Sequence, residues 1–326
     1  MIAKRNQENN WRWDRIFLTD ISKPQDIEIS ASFDGAGSVE LIKENYLIRA
    51  NFNFATIPYS PVLEGDLNYR FGGAKNAGFS NFMAHVIDFD VIESKNPRSQ
   101  DELLEMIKEQ LVFALNKFNN ANGDRIFILW NEIHPPISHY PYYLYHNYGK
   151  MDLVKESYKI AREIFGNNAI LIYNETYNYS LREGFYEDTK KIIKELVREG
   201  LVDGVGMQMH MFQNGNEIEP NQEEIIEVMK NYGIPVYITE FDINQEKLKV
   251  PNKELKQAQI AYTVASACAE SGVCRMIGFW GLYDGDTWLK YALNYPDPKP
   301  LPFDENGKPK IFYYALLSAL FQSLIK

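Results

Sequence analysis

Cysteine is nearly absent from this chain: of its 326 residues, only Cys268 and Cys274 are cysteines. Two thiols cannot build a disulfide framework for a protein of this length. They are expected to stay free in a reducing cell, with a single strained or regulatory bridge as the alternative. Long apolar runs are missing as well. No stretch reaches the roughly 18 residues a membrane-spanning helix needs, so no membrane partner is expected. The N-terminal stretch MIAKRNQENNWRWDR lacks the apolar segment of a secretory signal. A cytoplasmic location is therefore expected, or a secreted chain whose signal has been removed. Positive charge is also scarce, with 34 Lys and Arg against 44 Asp and Glu, a net charge of -10. That field repels a polyanion unless a basic patch intervenes. The nearest thing to one, KKIIKELVRE at 190–199, reads as the solvated face of a helix. No nucleic-acid partner is expected.

Aromatic side chains, by contrast, are plentiful: 19 Phe, 21 Tyr and 5 Trp. A buried phenol must find a hydrogen-bond partner, so that many tyrosines exceed what a core needs and some rings should line a surface. With 45% hydrophobic and 24% charged residues the rest of the composition is that of an ordinary globular protein. From about residue 27 onward, short β-rich runs alternate with amphipathic helical ones. The strand candidates are 27–33, 47–56, 81–89, 125–132, 169–175, 202–210, 235–242 and 275–284. Helices are expected at Ser99–Asn119, Asp152–Phe165, Glu187–Leu201, Gln222–Tyr232, Lys253–Ser271 and Ile311–Ile325, the first opened by a Ser99/Glu102 capping box. Gly200, Gly233 and Gly272 stand near helix ends, where a left-handed residue costs little. The segment 58–78 reads as loop. Strands alternating with helices predict parallel pairing with right-handed crossovers. Eight such units without a long linker predict an α/β fold of one domain over 1–326, a closed (β/α)8 TIM barrel on which an N-terminal extension, 1–26, packs.

In such a barrel the site is built at the C-terminal ends of the strands. Two glutamates stand out there. Glu132 ends RIFILWNE and Glu240 stands near the end of PVYITEFD, each after a run apolar enough to be buried on both faces. A carboxylate in that position costs free energy unless it is paired or used. The bland alternative is a rim glutamate in a salt bridge, which two carboxylates on non-adjacent strands, each beside another polar group, make less attractive. A carboxylate pair across a barrel mouth is what glycoside hydrolysis uses, one as acid and the other, about 5 to 5.5 Å away in retaining enzymes, as nucleophile. Asp242 lies two residues after Glu240, on the same face of the strand, and is placed to orient His210 towards it.

The segments WNE (130–132), DGVGMQMH (203–210), PVYITEFDI (235–243) and FWGLYDGDTW (279–288) resemble the signature segments of glycoside hydrolase family 10, the retaining endo-β-1,4-xylanases. PLPFDENGKPKIFYYAL (300–316) is similar to that family's closing segment, and FNFATIPY (52–59) fits some of its divergent bacterial members. The resemblance implies Glu132 as general acid/base and Glu240 as nucleophile. It also implies Asn131, Gln208 and His210 as ligands of the sugar in the -1 subsite, with His85 retained from the third-strand motif. Trp280 and Trp288 would form the floor and wall of that subsite, where an indole excludes the hydroxymethyl group that glucose has and xylose lacks. The implied partner is xylan or a xylo-oligosaccharide, with no cofactor and no metal, and a monomer is expected.

The departures are as informative. The family's Gly-His-x-Leu-Val-Trp-His becomes Ala84-His85-Val86-Ile87-Asp88-Phe89-Asp90, and its Glu-Asn-Glu-Met-Lys-Trp becomes Ala55-Thr56-Ile57-Pro58-Tyr59-Ser60. The lysine and asparagine implied for the -2 subsite are missing, and Asn174-Glu175-Thr176-Tyr177 is one residue longer than the family's Asn-Asp-Tyr. The chemistry is thus better specified than the sugar. A β-1,4-glucanase or mannanase of the same barrel clan is the alternative, and a non-catalytic carbohydrate-binding barrel a more distant one. Tyrosines within 134–148 could stack on aglycone sugars, or simply pack on the barrel. A glycine-rich stretch at 35–40 has Glu40 where a dinucleotide fingerprint needs its third glycine. His134, His139 and His146 lack the compact spacing of a metal site. Two glycosylation patterns, at Asn174 and Asn178, are set aside as chance for want of a signal peptide.

Overall fold

The computed structural model describes residues 2–5, 11–14, 17–33, 36–58, 64–97, 99–119, 123–133, 147, 149–176, 178–181, 184–211 and 219–326. Ile2–Arg5 (β1) and Trp11–Asp14 (β2) pair antiparallel. The short helix Leu18–Ser22 (α1) follows, with Leu18 and Ile21 buried. Gln25 then donates its side-chain amide to the Leu320 carbonyl at 3.1 Å, tying this segment to the last helix.

The chain next runs through Glu28–Ser32 (β3), Ala36–Glu44 (α2), Tyr46–Arg49 (α3), Phe54–Ile57 (β4), Glu64–Asn76 (α4), Asn81–His85 (β5), Phe89–Lys95 (α5) and Gln100–Phe118 (α6). It continues with Arg125–Asn131 (β6), Met151–Phe165 (α7), Ile170–Glu175 (β7), Tyr186–Arg198 (α8), Gly204–Met207 (β8) and the two-residue His210–Met211 (β9). Gln222–Tyr232 (α9), Val236–Ile243 (β10), Lys253–Ser271 (α10), Cys274–Phe279 (β11), Trp288–Tyr291 (α11) and Ile311–Ile325 (α12) complete it. All barrel pairings are parallel, in the order β11-β3-β4-β5-β6-β7-β8-β10, and β10 pairs back to β11. This is the closed eight-stranded (β/α)8 barrel that the alternation predicts.

The strands read as apolar runs because both faces are covered. Phe54, Met83, Ile126, Ile128, Ile172, Tyr237 and Met276 fill the barrel interior. Alternate residues such as Phe82, Phe127, Leu171, Val205, Ile238 and Ile277 join the layer under the helices. The Ser99 hydroxyl accepts the Glu102 amide at 3.2 Å at the start of α6, and Asn221 and Asn252 cap α9 and α10 in the same way. Gly233 and Gly272 end α9 and α10 in the left-handed conformation.

Three expectations are corrected. Residues 47–49 are helical rather than strand, because Arg49 is drawn away to donate to the carbonyls of Phe52, Ala77 and Gly78. The segment 58–78 holds α4 rather than loop. Its Gly73 weakens the helical signal yet lets α4 approach α2, since a Cβ there would overlap Val39. Cys268 and Cys274 are joined as a disulfide rather than left as free thiols. The turn at Ser271 and Gly272 brings the end of α10 against the start of β11, with the two Cα atoms 5.1 Å apart and both residues buried. Among the described residues no helix is long and apolar enough to cross a membrane.

Candidate active site

Both strands that carry the glutamates change phase just before them. On β10, Tyr237 points into the barrel, and strict alternation would send residue 241 there too. A register shift between Ile238 and Phe241 instead leaves Phe241 in the outer core and turns Glu240 and Asp242 to the mouth. The β6–β7 pairing shifts between Ile128 and Asn131, ahead of Asn131 and Glu132. Such bulges re-aim side chains at a sheet's functional end. Glu132 itself lies just past β6 with φ at 57°, a left-handed conformation that costs a non-glycine residue about 1 kcal/mol or more.

The register then assembles the site. Asp242 stands opposite His210 across the β10–β9 pair, and Asn131 opposite Asn174 across β6–β7. Glu132 and Glu240 are 5% and 3% exposed, so each carboxyl must find partners in the protein. Asn174 Nδ2 donates to Asn131 Oδ1 and to Glu240 Oε1, both at 2.6 Å, and Thr239 Oγ1 fixes the amide by donating to its Oδ1 at 2.8 Å. Gln208 Nε2 donates to Asn131 Oδ1 at 3.0 Å and to Glu132 Oε1. Glu132 Oε2 is buried and has no hydrogen-bond partner among the described residues.

His210 lies between two carboxylates, with Nε2 3.1 Å from Glu240 Oε2 and Nδ1 3.0 Å from Asp242 Oδ2. Burial alone would lower its pKa, but Asp242 and Glu240 outweigh it and raise the imidazole to about 10, so it is a cation at neutral pH. Glu132 goes the other way for a carboxyl: burial first, then the charge of Glu240, push it up to about 8 against the opposing Gln208 bond. It therefore carries a proton at neutral pH. His85 Nε2 sits 3.6 Å from Glu240 Oε1, and burial lowers its pKa. Trp280 faces His85 with ring centroids 5.2 Å apart, and Trp288 faces His210 at 5.0 Å. The Trp288 indole N–H donates to Asp242 Oδ2 at 2.8 Å.

All nine residues singled out in the sequence thus converge on one mouth. The sequence profile described as Glycosyl hydrolase family 10 matches residues 131–319, more than half of the chain. The chain belongs to glycosyl hydrolase family 10. Among curated members, it is 33% identical to the endo-1,4-beta-xylanase A of Caldicellulosiruptor saccharolyticus over 178 residues, which are 51% of this chain and 51% of that one. With the endo-1,4-beta-xylanase B of Thermotoga neapolitana it shares 28% over 229 residues, 69% of this chain and 64% of that one. The matched chain therefore spans about half to just under two thirds of these relatives' lengths. The fold is that of xylanase 10B from Thermotoga petrophila RKU-1, solved in complex with xylobiose. The TM-score is 0.77 with 19% identity, covering 96% of this chain and 99% of that one.

Several family 10 departures acquire a structural reason. Phe89, at a tryptophan position of the family motif, packs on Trp130 with centroids 5.0 Å apart. Asp88 exchanges hydrogen bonds with the buried Gln110 through its backbone. On β4, Thr56, which stands at the asparagine position of the family motif, pairs its hydroxyl with that of Ser30 at 2.5 Å. The tyrosines of 134–146 and Tyr148, the three loop histidines and Tyr59 lie outside the described residues. Among those described, no cluster of His, Cys, Asp or Glu would hold a metal.

Two site residues carried no role in the sequence reading. Asn174 links the two halves of the site, and Glu175, 0% exposed, accepts the backbone N–H of Ile133, the residue after Glu132. The signal was their position at a strand end, obscured by the extra residue that follows.

Proposed function

We propose that this chain is a retaining endo-β-1,4-xylanase acting by double displacement. The observation that carries the proposal is the opposed setting of two buried carboxyls. Glu132 is protonated, with Oε2 unpartnered among the described residues, while Glu240 is held between Asn174 and the His210 cation. In the first step a Glu240 oxygen attacks the anomeric carbon. The glycosidic C–O bond breaks, and the departing oxygen takes the proton of Glu132. Esterified Glu240 no longer repels Glu132, which then becomes a base. It takes a proton from water while that water attacks the same carbon and releases Glu240. Asn131, Gln208 and His85 would hold the sugar hydroxyls, and the two indoles its faces.

Glu240→Ala should abolish hydrolysis of aryl β-xylobioside, and azide should restore part of it, giving the α-glycosyl azide. Full activity in that variant overturns the reading. Thr56, standing where the family motif has its -2 asparagine, favours one second reading, a β-glucanase or mannanase with the same two glutamates. Rates on xylan, barley glucan and mannan separate the two. Of the two expected locations, the Cys268–Cys274 disulfide favours an oxidising, extracellular one.

A further inference from the structure

Glu175 is a buried carboxylate for which the two-step reaction has no use. Burying such a group is costly unless donors surround it. Its Oε2 accepts the Tyr173 hydroxyl at 2.9 Å and the backbone N–H of Ile133 at 3.3 Å, and its Oε1 accepts the Thr176 N–H at 3.0 Å. The Ile133 amide belongs to the peptide that leaves Glu132. The amide of Glu132 itself donates to the Asn174 carbonyl at 3.1 Å. Strand β7 therefore grips Glu132 on both sides, by the Asn174 carbonyl before it and the Glu175 carboxylate after it. Glu132 needs that grip because its φ of 57° is left-handed, and such residues persist where the surroundings over-determine them.

We propose that Glu175 is a positioning residue for the acid/base: it anchors the strained turn that aims Glu132 Oε2 at the departing oxygen. This rests on the reading of Glu132 as acid/base. Glu175 also acts through charge. The titratable groups facing Glu132 are Glu240 from β10, Glu175 from β7 and His210 from β9; the two carboxylates favour its protonated form and His210 opposes it. Glu175 in turn faces Tyr173 on its own strand and Tyr232 from α9.

The test compares wild type, Glu132→Ala, Glu175→Ala, Glu175→Gln and Tyr173→Phe on two aryl β-xylobiosides. A dinitrophenolate leaves without a proton, whereas a phenolate needs one. Displacing a catalytic group by 1 Å can cost about 100-fold, so Glu175→Ala should lose about that factor in kcat on the phenyl substrate. Its KM should hold, and on the dinitrophenyl substrate its glycosylation rate should stay close to wild type. Glu175→Gln keeps the shape and removes the charge, and should move the alkaline limb of kcat/KM to lower pH. Equal losses on both substrates, or a folded Glu175→Gln with an unmoved alkaline limb, overturn the proposal. Should neither Glu175 variant fold, Tyr173→Phe must show a smaller loss confined to the phenyl substrate; equal losses there overturn it as well. Glu132→Ala is the control for the underlying reading. If that variant shows no leaving-group dependence, the acid/base assignment fails, and the role of Glu175 falls with it.

Discussion

Asp242 Oδ2 lies 3.0 Å from His210 Nδ1, and the same oxygen accepts the Trp288 indole N–H at 2.8 Å. One carboxylate thus sets both the charge of the imidazole that faces Glu240 and the position of an indole in the mouth. In Asp242→Asn, burial of His210 is no longer offset by its stronger partner, and the ring should become neutral near neutral pH. Activity should then fall more steeply between pH 5 and 8 than in wild type, with kcat lower by about 100-fold or more at pH 8. The stability effect has a defined sign. A pKa raised from 6.5 to about 10 contributes stability that is complete below 6.5 and is lost as pH rises through 10. The Tm gap between wild type and Asp242→Asn should accordingly narrow from pH 6 to pH 10; a gap that widens contradicts this account.

Glu132 makes stability fall with pH in the same direction, over a lower window. Its pKa rises from 4.5 to about 8, so the folded state holds a proton that the unfolded chain releases, and its contribution to stability declines as pH climbs through that window. Glu132→Gln removes the decline. The variant should be inactive on unactivated substrates, yet its Tm advantage over wild type should grow between pH 4.5 and 8 to about 3 °C or more. In wild type the same proton sets the alkaline limb of kcat/KM near pH 8. Calorimetry of the two proteins across pH, beside the rate profile, checks both expectations, and a pH-independent Tm difference would contradict the first.

Gly206 provides the room in which Asn174 bridges the site. It stands opposite Asn174 in the β7–β8 register, and a Cβ there would overlap the Asn174 amide. Gly206→Ala must therefore push Asn174 off Glu240 or Asn131. The expected result is a loss of about 10- to 100-fold in kcat with a small change in KM, since the nucleophile is misplaced while the sugar contacts stay. Far-UV circular dichroism should be that of wild type. An unchanged kcat would mean that the bond from Asn174 to Glu240 is not needed.

The barrel and its two glutamates were legible because both rest on strong local patterns: apolar runs, helix caps and a polar residue at the end of each run. Glu132 and Glu240 could be named without knowing how they turn inward, whereas the bulges that turn them depend on pairing with β7 and β11, which no single strand encodes. Helix α4 was hidden by the Gly72-Gly73 pair, of which Gly73 serves close approach to Val39 of α2 rather than helix propensity. The Cys268–Cys274 bond was hidden because its closeness comes from the turn at Gly272, not from the six-residue separation. Glu175 was passed over for a related reason. Its link to Glu132 runs through the backbone N–H of Ile133, and backbone partners leave no mark in a sequence.

Trp280 and Trp288 bear on which sugar the mouth accepts. Both indoles are partly buried against imidazoles, Trp280 on His85 and His210, Trp288 on His210, and the Trp288 N–H is fixed by Asp242. On the proposed reading, an indole that lines the -1 subsite excludes the hydroxymethyl group that distinguishes glucose from xylose, at a cost set by overlap rather than by a lost contact. Trp288→Ala also takes a donor from Asp242 and should slow turnover of both sugars, so rates on one substrate would confuse exclusion with damage to His210. The ratio of kcat/KM for aryl xylobioside over aryl cellobioside cancels that common loss. If an indole is the excluding wall, its replacement by alanine should lower this ratio by about 10- to 100-fold, the range that a few atoms of pocket wall provide. A ratio unchanged in both variants would place the discrimination elsewhere in the cleft, while a change confined to one of them identifies the ring that meets the sugar's fifth carbon.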